Sequence, residues 1–136
     1  MCIILFYLTL AIPNTVPINL HLDGIVCSKG SIYISVYNSK EAFLVPGNEI
    51  SSRILESGNL SQLKIQMKVP QGQQLAIACF QDINGNKKLD TNLLGIPTEP
   101  YGFSGEVKSK WRKPRFSDAA IDLKQGQPIN IKLQYW

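Results

Sequence analysis

Asp82, Asn84, Asn86 and Asp90 occupy positions one, three, five and nine of one stretch, DINGNKKLDTNLLGIPTEPYGFS, residues 82–104. Lys88 stands at position seven, where its main-chain carbonyl is the candidate ligand. Calcium takes several hard oxygen ligands in flexible geometry, and alternating Asp and Asn in a tight turn aims oxygens at one centre. The opening therefore resembles a calcium loop of the EF-hand type, but with no helical pattern on either side it is not an EF-hand. Two positions also depart from that type. Lys87 stands at the sixth, where a glycine makes the sharp turn, and Leu93 at the twelfth, where a glutamate supplies two oxygens. With two carboxylates, the expected affinity is weak, about 0.1–1 mM. The same residues also build turns without any ion, because Asp and Asn accept backbone N–H bonds and tolerate left-handed backbone. Glu99 adds a carboxylate with three possible roles: accepting backbone bonds, lying on the surface, or completing a metal shell.

A second candidate lies in KSKWRKPRF. Lys110, Trp111, Arg112 and Lys113 combine cations with an aromatic ring, a set that suits an anionic glycan or an anionic membrane surface. The net charge of +4 is confined to this segment, since residues 105–116 hold five basic side chains against Glu106 and the remainder balances. A solvated charge run is the plainer account. A nucleic-acid partner would need a wider basic surface.

Enzyme chemistry finds little support. The chain has one histidine, His21, so no second imidazole exists to build a zinc site with it. No Gly-x-Ser-x-Gly element, Cys–His signature or phosphate-cradling loop is present. The sequence reads as non-catalytic. A hydrolase-type enzyme using Asp82, Asp90 and Glu99 is the alternative.

The elements that must position these residues are strands. In residues 16–23, Val16, Ile18, Leu20 and Leu22 alternate with polar partners, and the strand has room to continue to Val26. Ile32, Ile34 and Val36 form one face of a second strand. Residues 38–59 are weaker in pattern: residues 41–45 suit an irregular turn or a short strand, with breaks at residues 46–48 and 57–59. Leu63, Ile65, Met67 and Val69 alternate again, and residues 74–81 form an almost wholly apolar central strand ending at Asp82. After the long loop, residues 119–123 resume a strand, and Ile129, Ile131, Leu133 and Tyr135 line a last one. No long helical period occurs. The pattern predicts an all-β fold: a single antiparallel β-sandwich with one long loop between late strands. Within that loop, Tyr101 and Phe103 are expected to plug the end of the sandwich.

Residues 1–15 read as an apolar leader and residues 16–136 as a single domain. The run MCIILFYLTLAI is too short to span a bilayer and matches the apolar region of a secretory signal without its basic start. A buried first strand is the alternative. Export would place Cys27 and Cys79 where a disulfide can form, although Cys79 in an apolar strand also fits a free buried thiol.

The stretch from Val69 to Tyr135 resembles a bacterial family of exported proteins, domain of unknown function family 2141. The resemblance is carried by VPQGQQLAIACFQDINGNKKLDTNLLGIPTEPYGFS, then KPRFSDAAIDL, then the final INIKLQY strand. It implies a signal peptide and a small β-sandwich akin to immunoglobulin-like or transthyretin-like domains. It implies no particular activity. Many members have glycine where Lys87 stands here.

Overall fold

A computed structural model describes residues 14–72, 74–108, 112–124 and 126–135. In chain order its elements are β1 (Thr15–Asp23), β2 (Ser31–Tyr37), β3 (Ser51–Glu56), β4 (Gln62–Pro70), β5 (Gln74–Asp82), β6 (Tyr101–Phe103), α1 (Phe116–Ala119), β7 (Ala120–Asp122) and β8 (Pro128–Lys132). They form two sheets. One orders β4-β1-β8, and the other orders β3-β2-β5-β6 with β7 also paired to β5.

The alternation found in the sequence decides which side chains meet between the sheets. Ile18, Leu20 and Leu22 of β1 join Met67 and Val69 of β4 and Ile131 of β8. Facing them are Ile32, Ile34 and Val36 of β2 with Leu75, Ile77 and Cys79 of β5. Each fully buried aliphatic side chain of this set contributes about 1.5–3 kcal/mol through the apolar area it removes from water.

β5 is apolar on both faces because both are covered. Its outward residue Ala76 packs with Tyr37, Phe43 and Ala119, with Ala78, Phe103 and Phe116 beside them. The rings of Phe43 and Phe116 meet edge to face at 6.0 Å. Small alanines on β5 leave room for these aromatics. Phe103 therefore lies against the outer face of the second sheet, and Tyr101 and Phe103 are strand residues rather than an end plug.

Several expectations need correction. β1 pairs with β8 in parallel, so the fold is not antiparallel throughout. A hairpin would force antiparallel pairing, but β7 belongs to the other sheet, and the crossing between sheets leaves β8 free to run alongside β1. β1 stops at Asp23, where Gly24 turns at φ 76° and a side chain would strike the Leu133 carbonyl. It also starts at Thr15, one residue inside the expected leader. Residues 51–56 form a full edge strand that the sequence shows only weakly, because an exposed edge needs no regular apolar alternation. Cys27 is exposed and Cys79 is buried, and both are free thiols. Burial pushes the Cys79 thiol pKa up, away from thiolate chemistry. Among the described residues, no helix is long and apolar enough to cross a membrane.

Candidate functional site

β5 delivers Asp82 to the base of the loop as a side chain only 2% exposed. Its Oδ1 accepts from the N–H groups of Gly85 at 2.9 Å and Asn86 at 3.2 Å. Its Oδ2 accepts from Lys87 N–H at 2.7 Å. One carboxylate thus ties down three successive amides and forces the backbone to curl. The curl places Lys87 at φ 67°, the left-handed region where glycine is favoured. Gly30 lies beneath the same point, and a side chain there would strike the Asp82 carbonyl.

Glu99 closes the loop from its far end. It is 4% exposed. Its Oε1 accepts from Ile83 N–H at 2.8 Å, and its Oε2 accepts from Asp90 N–H at 3.2 Å. Of the three roles open to Glu99, the structure shows it accepting backbone bonds. It clamps the two ends of the curl together.

Asn84 and Asn86 converge on Asp90. Asn84 Nδ2 donates to Asp90 Oδ2 at 2.5 Å, and Asn86 Nδ2 donates to the two carboxylate oxygens at 2.7 and 2.8 Å. The amides of Asn86 and Asn84, with Lys88 nearby, hold the Asp90 carboxyl below the usual carboxylate range. Each amide oxygen turns back to the chain: Asn84 Oδ1 accepts from Asn86 N–H at 3.1 Å, and Asn86 Oδ1 accepts from Lys88 N–H at 3.2 Å. These are side-chain-to-backbone turns of the Asx kind.

The structure therefore brings Asn84, Asn86 and Asp90 to one point and aims the Asp82 oxygens elsewhere, at backbone amides. Among the described residues, no group of three His, Cys, Asp or Glu side chains is placed to hold a metal ion. Any cation site here is built from one carboxylate and neutral oxygens. Amide oxygen and nitrogen are close in size, so a half-turn of Asn84 and Asn86 would present oxygens beside Asp90 in place of N–H groups. Lys88 sits on the same curl through its N–H bond to Asn86.

The basic candidate is placed differently. Lys110 and Trp111 lie outside the described residues. Arg112 is engaged, its Nη1 and Nη2 donating to Asp118 at 2.8 and 3.2 Å. Asp118 also accepts from Arg115 N–H at 2.7 Å. The Arg112 guanidinium, then the Arg115 amide, pull the Asp118 carboxyl down to about 2. Lys113 is exposed. Ser104, which opens this segment, is pinned to Ile77 on β5, roughly 17 Å along the strand from Asp82. Arg112 is thus held at Asp118 and takes no part in the Asp/Asn curl.

Two buried polar residues, Gln81 and Ser104, organise these surroundings. Gln81 is fully buried, with its Oε1 accepting from Val26 N–H at 2.8 Å. Its Nε2 donates to the carbonyls of Val26 at 2.7 Å and Lys29 at 2.6 Å. The available signal was position, since Gln81 continues the inward series Leu75, Ile77 and Cys79. Ser104 Oγ accepts from Ile77 N–H at 2.8 Å and lies 2.7 Å from the Ala119 carbonyl, to which it donates.

A family model described as an uncharacterized protein conserved in bacteria, DUF2141, matches residues 20–132. The chain belongs to that family. The DUF2141 match begins within β1 and ends at β8, so it takes in both sheets, the Asp/Asn loop and the basic segment. No curated protein and no solved structure matches the chain.

Proposed function

We propose that this chain is a non-catalytic module exported to the cell envelope, an immunoglobulin-like or transthyretin-like β-sandwich whose loop of residues 82–100 is a stiff presenting element. One observation carries the reading. Asp82 and Glu99, the carboxylates best placed by burial for acid–base work, are both engaged by backbone N–H groups of their own loop. Such carboxylates hold a shape and are poorly placed to exchange protons with a substrate. The apolar run of residues 1–12 supports export. Fractionation of expressing cells, with N-terminal sequencing, tests it. The expected product lacks the first 11 to 15 residues, roughly the length of a signal segment, and is recovered outside the cytoplasm. An intact Met1 in a folded, secreted product would remove the cleavage reading, and cytosolic recovery would remove export.

The convergence of Asn84 and Asn86 on Asp90 favours a second reading, in which calcium enters the mouth of the curl. Asp90 would supply the charge, Asn84, Asn86 and the Lys88 carbonyl neutral oxygens, and Asp82 the framework. An ion that binds only the folded chain at 100 times its dissociation constant stabilises by about 2.7 kcal/mol. Melting curves in millimolar calcium, in magnesium and in chelator decide it. Asp90→Asn should abolish the calcium-dependent rise. Identical melting of the wild type in all three conditions leaves turn chemistry alone.

A further inference from the structure

Leu93 and Leu94 are the most exposed large apolar residues of the described chain, at 106% and 83% of full exposure. They are consecutive, and their backbone is not slack. Asn92 Oδ1 accepts from Leu94 N–H at 2.9 Å and Ile96 N–H at 3.0 Å. Asn92 N–H donates to the Ile96 carbonyl at 2.8 Å, and Gly95 N–H to the Asn92 carbonyl at 3.0 Å. At the neck of this turn, Thr98 N–H reaches the Asp90 carbonyl at 2.8 Å. A closed, hydrogen-bonded turn thus holds two leucines out in water.

The charges of this loop are sorted. Asp82 and Glu99 are buried, and the amides of Asn84 and Asn86 cover Asp90. Lys87 and Lys88 are exposed. The loop contains three acids against two bases, and the two bases are its charges most open to water.

Neighbouring loops extend the pattern. Strand register puts Asp82 opposite Ser31 and Ser31 opposite Glu56, while Asp23 lies opposite both Gln62 and Lys132. The Ser57–Gly30, Ile25–Ser61 and Tyr101–Gln134 backbone bonds join these strand ends across the two sheets. One end of the molecule therefore carries residues 24–30, 57–61, 83–100 and 133–135. Leu60 and Tyr135, at 46% and 57% exposure, belong to this end, as does the exposed Lys29.

The geometry points to this end as a docking surface for an anionic lipid bilayer, with Leu93 and Leu94 entering the interface and Lys87, Lys88 and Lys29 meeting the anionic headgroups. Stiff apolar tips suit a lipid interface because no ordering of the loop is required on insertion. Lysine completes the match to an anionic surface, and its contribution falls as salt screens it. The proposal rests on the envelope location inferred above, but vesicle binding by purified protein does not depend on where cells send the chain.

The experiment is co-sedimentation of the full folded chain with vesicles of phosphatidylglycerol mixed into phosphatidylcholine, against phosphatidylcholine alone. Wild-type protein should bind the anionic vesicles, less so as salt rises. Leu93→Ser with Leu94→Ser should weaken partitioning roughly 100-fold, about tenfold per leucine withdrawn from the interface. Lys87→Gln with Lys88→Gln should weaken it roughly tenfold or more. Both double variants should melt like the wild type, because the side chains altered are exposed. Free glycerophosphate should not compete, which separates a bilayer from a soluble phosphate. The basic segment of residues 108–116 stays intact in the leucine variant, so undiminished vesicle binding by that variant would overturn the proposal. Failure of the wild type to bind anionic vesicles would also overturn it, including where a protein partner is captured by the same leucines.

Discussion

Glu99→Gln tests the loop reading at its least ambiguous point. The substitution keeps the volume and one acceptor oxygen, and replaces the other with an NH2 group. Glu99 now bonds Ile83 N–H with Oε1 and Asp90 N–H with Oε2. Glutamine can keep one of these and must set its own donor against the other. Hydrogen bonds to a charged group contribute about 1.5–3 kcal/mol, and a buried donor left without a partner costs a similar amount. The side chain is 4% exposed, so water reaches the vacated amide poorly. A loss of about 2 kcal/mol follows for glutamine, and about 4 kcal/mol for alanine, which orphans both amides. For a chain of this size the glutamine variant should melt roughly 5–10 °C lower. Circular dichroism melts, urea midpoints and amide exchange at Ile83 and Asp90 measure it. The deficit should be the same in calcium and in chelator. Melting within about 1 °C of wild type would refute the clamp, and a deficit confined to calcium would make Glu99 an ion ligand instead.

Lys87→Gly should raise stability by about 1 kcal/mol, because lysine is strained at φ 67° and glycine is not; a lower urea midpoint would contradict that backbone. Asp118→Asn should lower the melting temperature at neutral pH. The Asp118 carboxyl titrates near 2 in the folded chain, below the ordinary value of about 3.9. Its contribution is therefore complete above pH of about 4 and disappears as pH falls toward 2, so wild-type and variant melting curves should merge over that interval. A gap that persists at low pH would assign the effect to something other than the Arg112 pair.

The strands that build the core were legible because period-two alternation is a local property. Ile18, Leu20 and Leu22, or Ile32, Ile34 and Val36, announce a buried face before any partner is known. β3 was not legible, since an edge strand exposing Ile54 obeys no such alternation. The parallel direction of β8 was hidden for a different reason: strand direction depends on which sheet the chain enters after β7, and no residue type encodes it.

The sequence by itself determined the curl after Asp82. Asx chemistry at alternating positions acts over two to five residues, and the structure keeps Asp82, Asn84 and Asn86 in that role. Family membership was equally legible, through the elements between Val69 and Tyr135. Only the tertiary structure decided the rest. Glu99 had three possible roles until folding brought it to Ile83 across sixteen residues. Gln81 gains its function from a loop 52 and 55 residues away. Arg112, read as an anion ligand, has a carboxylate partner in Asp118. For Glu99 and Gln81 the partners are backbone groups that arrive only when separated segments pack, and burial then makes that one pairing more favourable than water, whereas Arg112 and Asp118 meet at the surface six residues apart.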